Sequence, residues 1–228
     1  MRAVVMGGTS GIGLAVADAL TSSGSTVTVT GRDPAKLAAV GGRVGAAEQL
    51  DSTDRPAVTE FFKRQGSFEH LVLAFSPGPV GMGPVRAVSL RDIEAAFDGK
   101  LFAYLHAIQQ AEVTGSITMI SAASARAAMP GTVGLASVNG AIERIVPPLA
   151  AELAPVRVNA VSPGVVDTPW WSFLPDDQRQ AQFAEWAGGA PVGRIGTPAD
   201  VAGAVAYLVG ASLVTGSILP VDGGLTFA

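Results

Sequence analysis

Short apolar runs rich in β-formers alternate with helical patterns along the whole chain, and that alternation constrains the fold more than any other feature. Ala3–Met6, Thr26–Thr30, Ala46–Leu50, His70–Ala74, Ser116–Ser121, Val156–Val161 and Ser217–Val221 read as strands. Helices are expected near 12–23, 53–65, 89–111, 133–152 and 198–209. Strands apolar on both faces and separated by helices belong in a parallel sheet covered on both sides. Right-handed crossovers then give a doubly wound α/β sheet, whose ligand sits at the carboxyl ends of the strands. No linker, repeat or low-complexity stretch divides the 228 residues, so a single domain is expected. Residues 169–191 break the alternation with large apolar side chains, among them Trp170, Trp171, Phe173, Phe183 and Trp186.

Composition narrows the function classes. With 48% hydrophobic and 15% charged residues, the chain can bury a core and is not expected to be disordered. A net charge of −4 argues against nucleic acid as a partner, which would require a basic face. The absence of cysteine excludes disulfides, thiol nucleophiles and Cys-based metal centres. Val201–Val221 is uncharged and nominally long enough to span a bilayer, but Gly203, Gly210, Gly216 and Pro220 interrupt it. A buried helix, a turn and a buried strand are expected there instead, with no membrane partner. The opening MRAVVMGG has too short an apolar run for a secretory signal, so a cytoplasmic protein is expected. His70 and His106 lack metal-ligand partners at helical or hairpin spacing; both are read as structural, and no metal site is expected.

The first strand runs into Gly7-Gly8-Thr9-Ser10-Gly11-Ile12-Gly13 and then a helix. A glycine-rich turn in that place lets backbone N–H groups approach a pyrophosphate at the positive end of the helix dipole. Nucleotide specificity should be set at the tip of the second strand, where Gly31-Arg32-Asp33 offers a guanidinium and no acid at the tip itself. A guanidinium can fork onto a 2′-phosphate, so NADP(H) is expected over NAD(H).

Gly7-x-x-x-Gly11-Ile12-Gly13 resembles the glycine motif of the short-chain dehydrogenase/reductase family. Leu50-Asp51-Ser52-Thr53-Asp54, Val156–Gly164, Val166-Asp167-Thr168, Pro191–Val201 and Val221–Gly224 are similar to further motifs of that family, in the right order over essentially the whole chain. The resemblance implies a Rossmann-like sheet of about seven strands in the order 3-2-1-4-5-6-7. It also implies cofactor contacts from Gly7, Thr9, Ser10, Gly11, Ile12, Gly13, Asp51, Ser52, Ala74, Pro163, Gly164, Val166 and Thr168, alongside Arg32. Homodimers or homotetramers are common in the family and are expected here.

At the chemical end this sequence departs from the family pattern. The family's proton donor is a Tyr, with a Lys four residues later, a Ser about thirteen residues before the Tyr, and an Asn on the preceding helix. Register on Asn139-Gly140-Ala141-Ile142-Glu143 places Leu135 at the Tyr position, Asn139 at the Lys position, Ala122 at the Ser position and Lys100 at the Asn position. Asn and Lys have in effect traded places. Lys100 could bind a ribose hydroxyl, stabilise an oxyanion or donate a proton. Ser121, Ser124 and Asn139 are the other candidate catalytic residues, Ser121 reaching the site only if its strand bulges or ends early. Tyr104, one turn after Lys100, is a conceivable acid or a core residue. Arg126 could meet an anionic substrate or lie solvated on a loop.

Trp170, Trp171, Phe173 and Trp186 would form a flap closing an apolar pocket, which implies a small hydrophobic or aromatic substrate. Three functions follow. The first is an NADP(H)-dependent oxidoreductase acting on a hydrophobic carbonyl, alcohol or enone through an atypical site. The second is an NADP(H)-binding protein without turnover, as a sensor or silent subunit. The third is a non-redox lyase, isomerase or cyclase on the same scaffold.

Overall fold

Successive strand residues are divided between two apolar layers, as a two-residue period requires of a sheet buried on both faces. The computed structural model describes Met1–Phe227. Its strands are β1 (Arg2–Met6), β2 (Thr26–Gly31), β3 (Ala46–Gln49), β4 (Phe68–Leu73), β5 (Val113–Ile120), β6 (Arg157–Pro163) and β7 (Ile218–Val221). They form one parallel sheet in the order β3-β2-β1-β4-β5-β6-β7, as expected. Val5 pairs in register with Val29 and Val72, and all three face one layer. Their neighbours Val4, Met6, Leu71 and Leu73 face the other.

The helices are α1 (Gly11–Ser22), α2 (Pro34–Val40), α3 (Arg55–Gln65), α4 (Leu90–Ala96), α5 (Ala103–Gln110), α6 (Val133–Glu152), α7 (Asp176–Gly189) and α8 (Pro198–Gly210). Helices α1, α2 and α8 cover the first layer through Val16, Leu20, Val40, Val205 and Leu208. Helices α3, α5 and α6 cover the second through Phe61, Phe62, Tyr104, Ile142 and Val146. Val201–Val221 spans α8 and β7, and no described helix is long and apolar enough to cross a membrane.

Three features depart from the sequence reading. Helix α2 was not anticipated, although Asp33 caps its Ala35 and Lys36 amides at 2.9 and 3.3 Å and Pro34 starts its first turn. The expected helix over 89–111 is interrupted at Phe97–Phe102 by a π-helical turn, the geometry that often marks a functional site. Within 169–191 the chain forms a short 3₁₀ turn at Pro169–Trp171 and then α7. His70 bonds Ser116 Oγ at 2.9 Å, and His106 the Arg55 carbonyl at 3.0 Å.

The last helix depends on an arginine from the sheet. Arg157, at the start of β6, donates to the carbonyls of Leu208 (2.7 Å) and Val209 (2.7 Å), which the C-terminus of α8 leaves without a helical partner, and to Val214 O in the turn beyond (3.1 Å). Asn159, fully buried, donates to Val214 O at 2.9 Å and accepts from Ser217 N at 3.0 Å, fixing the turn into β7. Arg157→Met should therefore lower stability by about 2–4 kcal/mol, measured by urea unfolding, because charged hydrogen bonds vanish and buried carbonyls are orphaned.

Candidate active site

The carboxyl ends of β1, β2, β4, β5 and β6 open into one cleft of about 810 Å³. That is the place a doubly wound sheet offers a ligand, and the size suits one. Every residue expected to bind cofactor, to act chemically or to line the substrate pocket contributes to its wall.

The floor at one end is the turn into α1. Gly7 has φ +82, and a Cβ there would sit 2.8 Å from the Phe75 amide nitrogen, so only glycine lets the 74–76 segment cross it. A Cβ on Gly13 would overlap the Gly7 carbonyl. Helices α2, α3, α4 and α8 are capped by the side chains of Asp33, Asp54, Ser89 and Thr197. Ser10 stands at the cap of α1 in extended conformation and makes no capping bond, so the first amides of that helix remain available to an anion. Thr168 closes the cradle from β6's side, its Cβ 3.3 Å from where a Cβ of Gly11 would lie. These residues fit a dinucleotide pyrophosphate.

Arg32 is exposed at the mouth and forms no ion pair among the described residues. Asp33 forms no ion pair with it; its carboxylate accepts from the Ala35 and Lys36 amides at the start of α2. That cap brings a second cation, Lys36, to the same wall, a contribution the Asp-Pro helix start could have signalled. Across the mouth, burial raises the Asp51 carboxyl, but bonds from Thr53 and the Arg32 charge outweigh it and leave it below its ordinary value.

The opposite end is built around Lys100, in the π turn, and Asn139, on α6. Both are buried, at 7% and 4% exposure. Lys100 Nζ donates to Asn139 Oδ1 at 2.6 Å and approaches the Ser121 carbonyl at 3.5 Å. Asn139 Nδ2 donates to Leu135 O at 2.9 Å and to Ser124 Oγ at 3.2 Å. Burial pulls the ammonium down to about 7, while the short bond to the amide oxygen favours the charged form.

The remaining candidates are engaged elsewhere. The Ser121 hydroxyl donates to Glu143 Oε1 at 2.9 Å, and Ser162 donates to the same oxygen at 2.7 Å. Arg126 lies exposed on its loop and pairs with Glu143 Oε2 at 3.3 Å. Glu143 thus ties the ends of β5 and β6 to the loop above them, a role invisible in sequence because its partners lie on three separate segments. The Tyr104 hydroxyl, fully buried, donates between the carbonyls of Phe75 (3.0 Å) and Ile120 (3.3 Å), and burial pushes its ionisation upward. It braces the ends of β4 and β5, its proton held by backbone carbonyls.

Over this end lies the aromatic segment. Trp171 packs on Trp170, Trp186 and Phe183 at centroid distances of 4.6, 4.8 and 6.1 Å. Trp171 Nε1 is anchored to Val166 O at 3.0 Å, and Trp170 Nε1 bonds Ser76 Oγ at 3.3 Å, bridging the cleft from the β6 side to the β4 side. Phe183 is buried beneath the cluster rather than on the cleft wall.

The buried lysine sets a pH dependence. Its folded value of about 7 lies below the ordinary 10.5, so between these values the unfolded chain binds a proton that the native chain does not. Stability should rise with pH across that window and level off above it. Lys100→Met should remove this slope, on the order of 4 kcal/mol at about 1.4 kcal/mol per unit, in urea unfolding compared at pH 6 and pH 10.

Comparison with known proteins agrees with this architecture. The family described as enoyl-(acyl carrier protein) reductase matches residues 7–226. Cis-4-hydroxycyclohexanecarboxylate dehydrogenase of Sinomonas cyclohexanicum is 33% identical, the match covering 98% of this chain and 96% of the relative. A 3-oxoacyl-[acyl-carrier-protein] reductase of Mycobacterium tuberculosis is 30% identical, covering 97% and 91%. Among solved structures, a small-chain dehydrogenase in complex with NADPH superposes with a TM-score of 0.86 at 31% identity, covering 100% and 99%. A short chain dehydrogenase/reductase family protein gives 0.90 at 30% identity, covering 100% and 98%. Sheet order, cradle and relatives together make this chain a member of the short-chain dehydrogenase/reductase family of oxidoreductases.

Proposed function

We propose that the protein is an NADP(H)-dependent oxidoreductase with an atypical catalytic end, acting on a small hydrophobic carbonyl, alcohol or enone. The observation that carries this reading is the uncapped start of α1 facing the same cleft as unpaired Arg32 and the tryptophan cluster. The α1 amides, Ser10 and Thr168 would hold the pyrophosphate, and Arg32 with Lys36 the 2′-phosphate. Bound reduced nicotinamide would supply a hydride. Trp170, Trp171, Phe173 and Trp186 would form a flap that orients an apolar substrate and keeps water away. In the family's register, Ala122, Leu135 and Asn139 replace Ser, Tyr and Lys, and Lys100 brings the positive charge from the other wall.

A second reading, NADP(H) binding without turnover, draws support from the tyrosines. Tyr104 is bound to backbone carbonyls, and Tyr207 is 58% exposed on α8. Stereospecific hydride transfer to any carbonyl or enone excludes that reading.

Self-association into a dimer or tetramer is also proposed. Leu90, Phe102 and Val133 are 77%, 44% and 45% exposed on α4, the π turn and α6, and β7 lies bare at the sheet edge. Sedimentation at micromolar concentration should give a species above 23.0 kDa.

The cofactor assignment is checked by tryptophan fluorescence titration. NADPH should bind more tightly than NADH. Arg32→Ala should reduce that ratio by about ten- to a hundredfold, the loss of one charged fork. An unchanged ratio would reject the role given to Arg32.

A further inference from the structure

We propose that the Ser124 hydroxyl holds the reacting oxygen of the substrate, as the last donor of a one-way hydrogen-bond chain from Lys100 through the Asn139 amide. This rests on reading the cleft as a hydride-transfer site. Hydrogen-bond inventory sets the direction of the chain. A lysine amino group facing an amide oxygen can only donate, so Lys100 fixes Oδ1 of Asn139 at 2.6 Å. The Leu135 carbonyl can only accept, so the 2.9 Å contact fixes Nδ2 on the other side. The second Nδ2 proton points to Ser124 Oγ at 3.2 Å. An amide N–H cannot accept, so the serine oxygen accepts and its own proton is left over. Among the described residues it has no acceptor, and Ser124 lines the cleft.

Each donor in such a chain polarises the next, so the terminal hydroxyl is a stronger donor than an isolated serine. Two nearby hydroxyls do not compete: Ser121 is bound to Glu143 and Tyr104 to two backbone carbonyls. Ser124 reaches the wall because β5 ends at Ile120 and a 3₁₀ turn over Ala123–Ala125 carries it around.

The chain holds negative charge but does not carry a proton, because an amide does not release one at neutral pH. An alkoxide from a saturated ketone needs a proton delivered to oxygen. An enolate is weakly basic at oxygen and needs only a donor. The site therefore suits an α,β-unsaturated carbonyl. A bound reduced nicotinamide would supply the hydride for a C–H bond at the β-carbon, the C=C electron pair shifting to give an enolate whose oxygen would accept from Ser124. A solvent proton then adds at the α-carbon, leaving the saturated carbonyl and oxidised dinucleotide.

The test uses 4-nitrophenol, whose phenolate mimics an enolate, added to the full-length protein with no dinucleotide present. At a fixed pH where free phenol is partly ionised, wild-type protein should raise the phenolate band. Ser124→Ala should lose about tenfold in preference for phenolate over phenol, Lys100→Met should weaken it, and Ser124→Thr should retain it. Circular dichroism and Tm of Ser124→Ala establish that the fold is intact. A phenolate preference unchanged in Ser124→Ala, or no binding of nitrophenol to wild type, overturns the proposal. With NADPH, cyclohexenone should be reduced at least a hundredfold faster than cyclohexanone, and equal rates would overturn the enone assignment. Failure to bind NADPH would instead defeat the oxidoreductase reading and leave the phenolate result standing.

Discussion

A parallel sheet must cover both faces, and in this protein that demand governs everything else. Helices α1, α2 and α8 take one face and α3, α5 and α6 the other, so the sheet meets solvent only along its edges and strand ends. The connections that return each helix to the sheet leave the carboxyl ends open. Backbone groups there are not all paired by secondary structure, and the uncapped amides of α1 are the clearest case. The cleft is thus a consequence of how the core is closed, and glycine at positions 7 and 13 permits the chain to turn sharply enough beside it.

The polar interior answers a second demand, that buried donors and acceptors be matched. Glu143 receives two strand-end hydroxyls and one guanidinium, locking β5, β6 and the 122–131 loop together. One turn earlier on the same helix, Asn139 receives Lys100 and passes donors to Leu135 and Ser124. A lysine buried without a carboxylate partner is costly, and its retention beside the cleft is the feature of this end least explained by packing. Lys100 and Asn139 therefore make one connected unit, the ammonium held at the cleft by its bond to the side-chain amide on α6.

Much of the fold was legible because period and punctuation survive averaging over tertiary context. The seven strands appear within a few residues of where the apolar runs put them. Helix α2 was overlooked because seven residues are too few to display a helical period, although Asp33-Pro34 marked its start. Helix α7 was obscured by its aromatic content, which reads as a pocket wall before it reads as a helix. The π turn left no sequence trace of its own; Gly99, where a Cβ would come within 2.8 Å of Pro77, is consistent with it only in hindsight.

For the site, the sequence by itself determined which residues stand at the strand ends, because strand order and glycine spacing carry that information locally. It likewise singled out Lys100 and Asn139 as candidate residues of the chemical end, since register is a matter of counting. Only the tertiary structure decided where the polar atoms go. Ser121 and Ser124 are three residues apart, yet one hydroxyl is bound to Glu143 and the other is left with a proton to give. Arg126 and Tyr104 were similarly ambiguous until Glu143 and two backbone carbonyls claimed them. Hydrogen-bond partners are set by segments far apart in the chain, and a buried donor takes the acceptor that folding brings within about 3 Å, which no local pattern records.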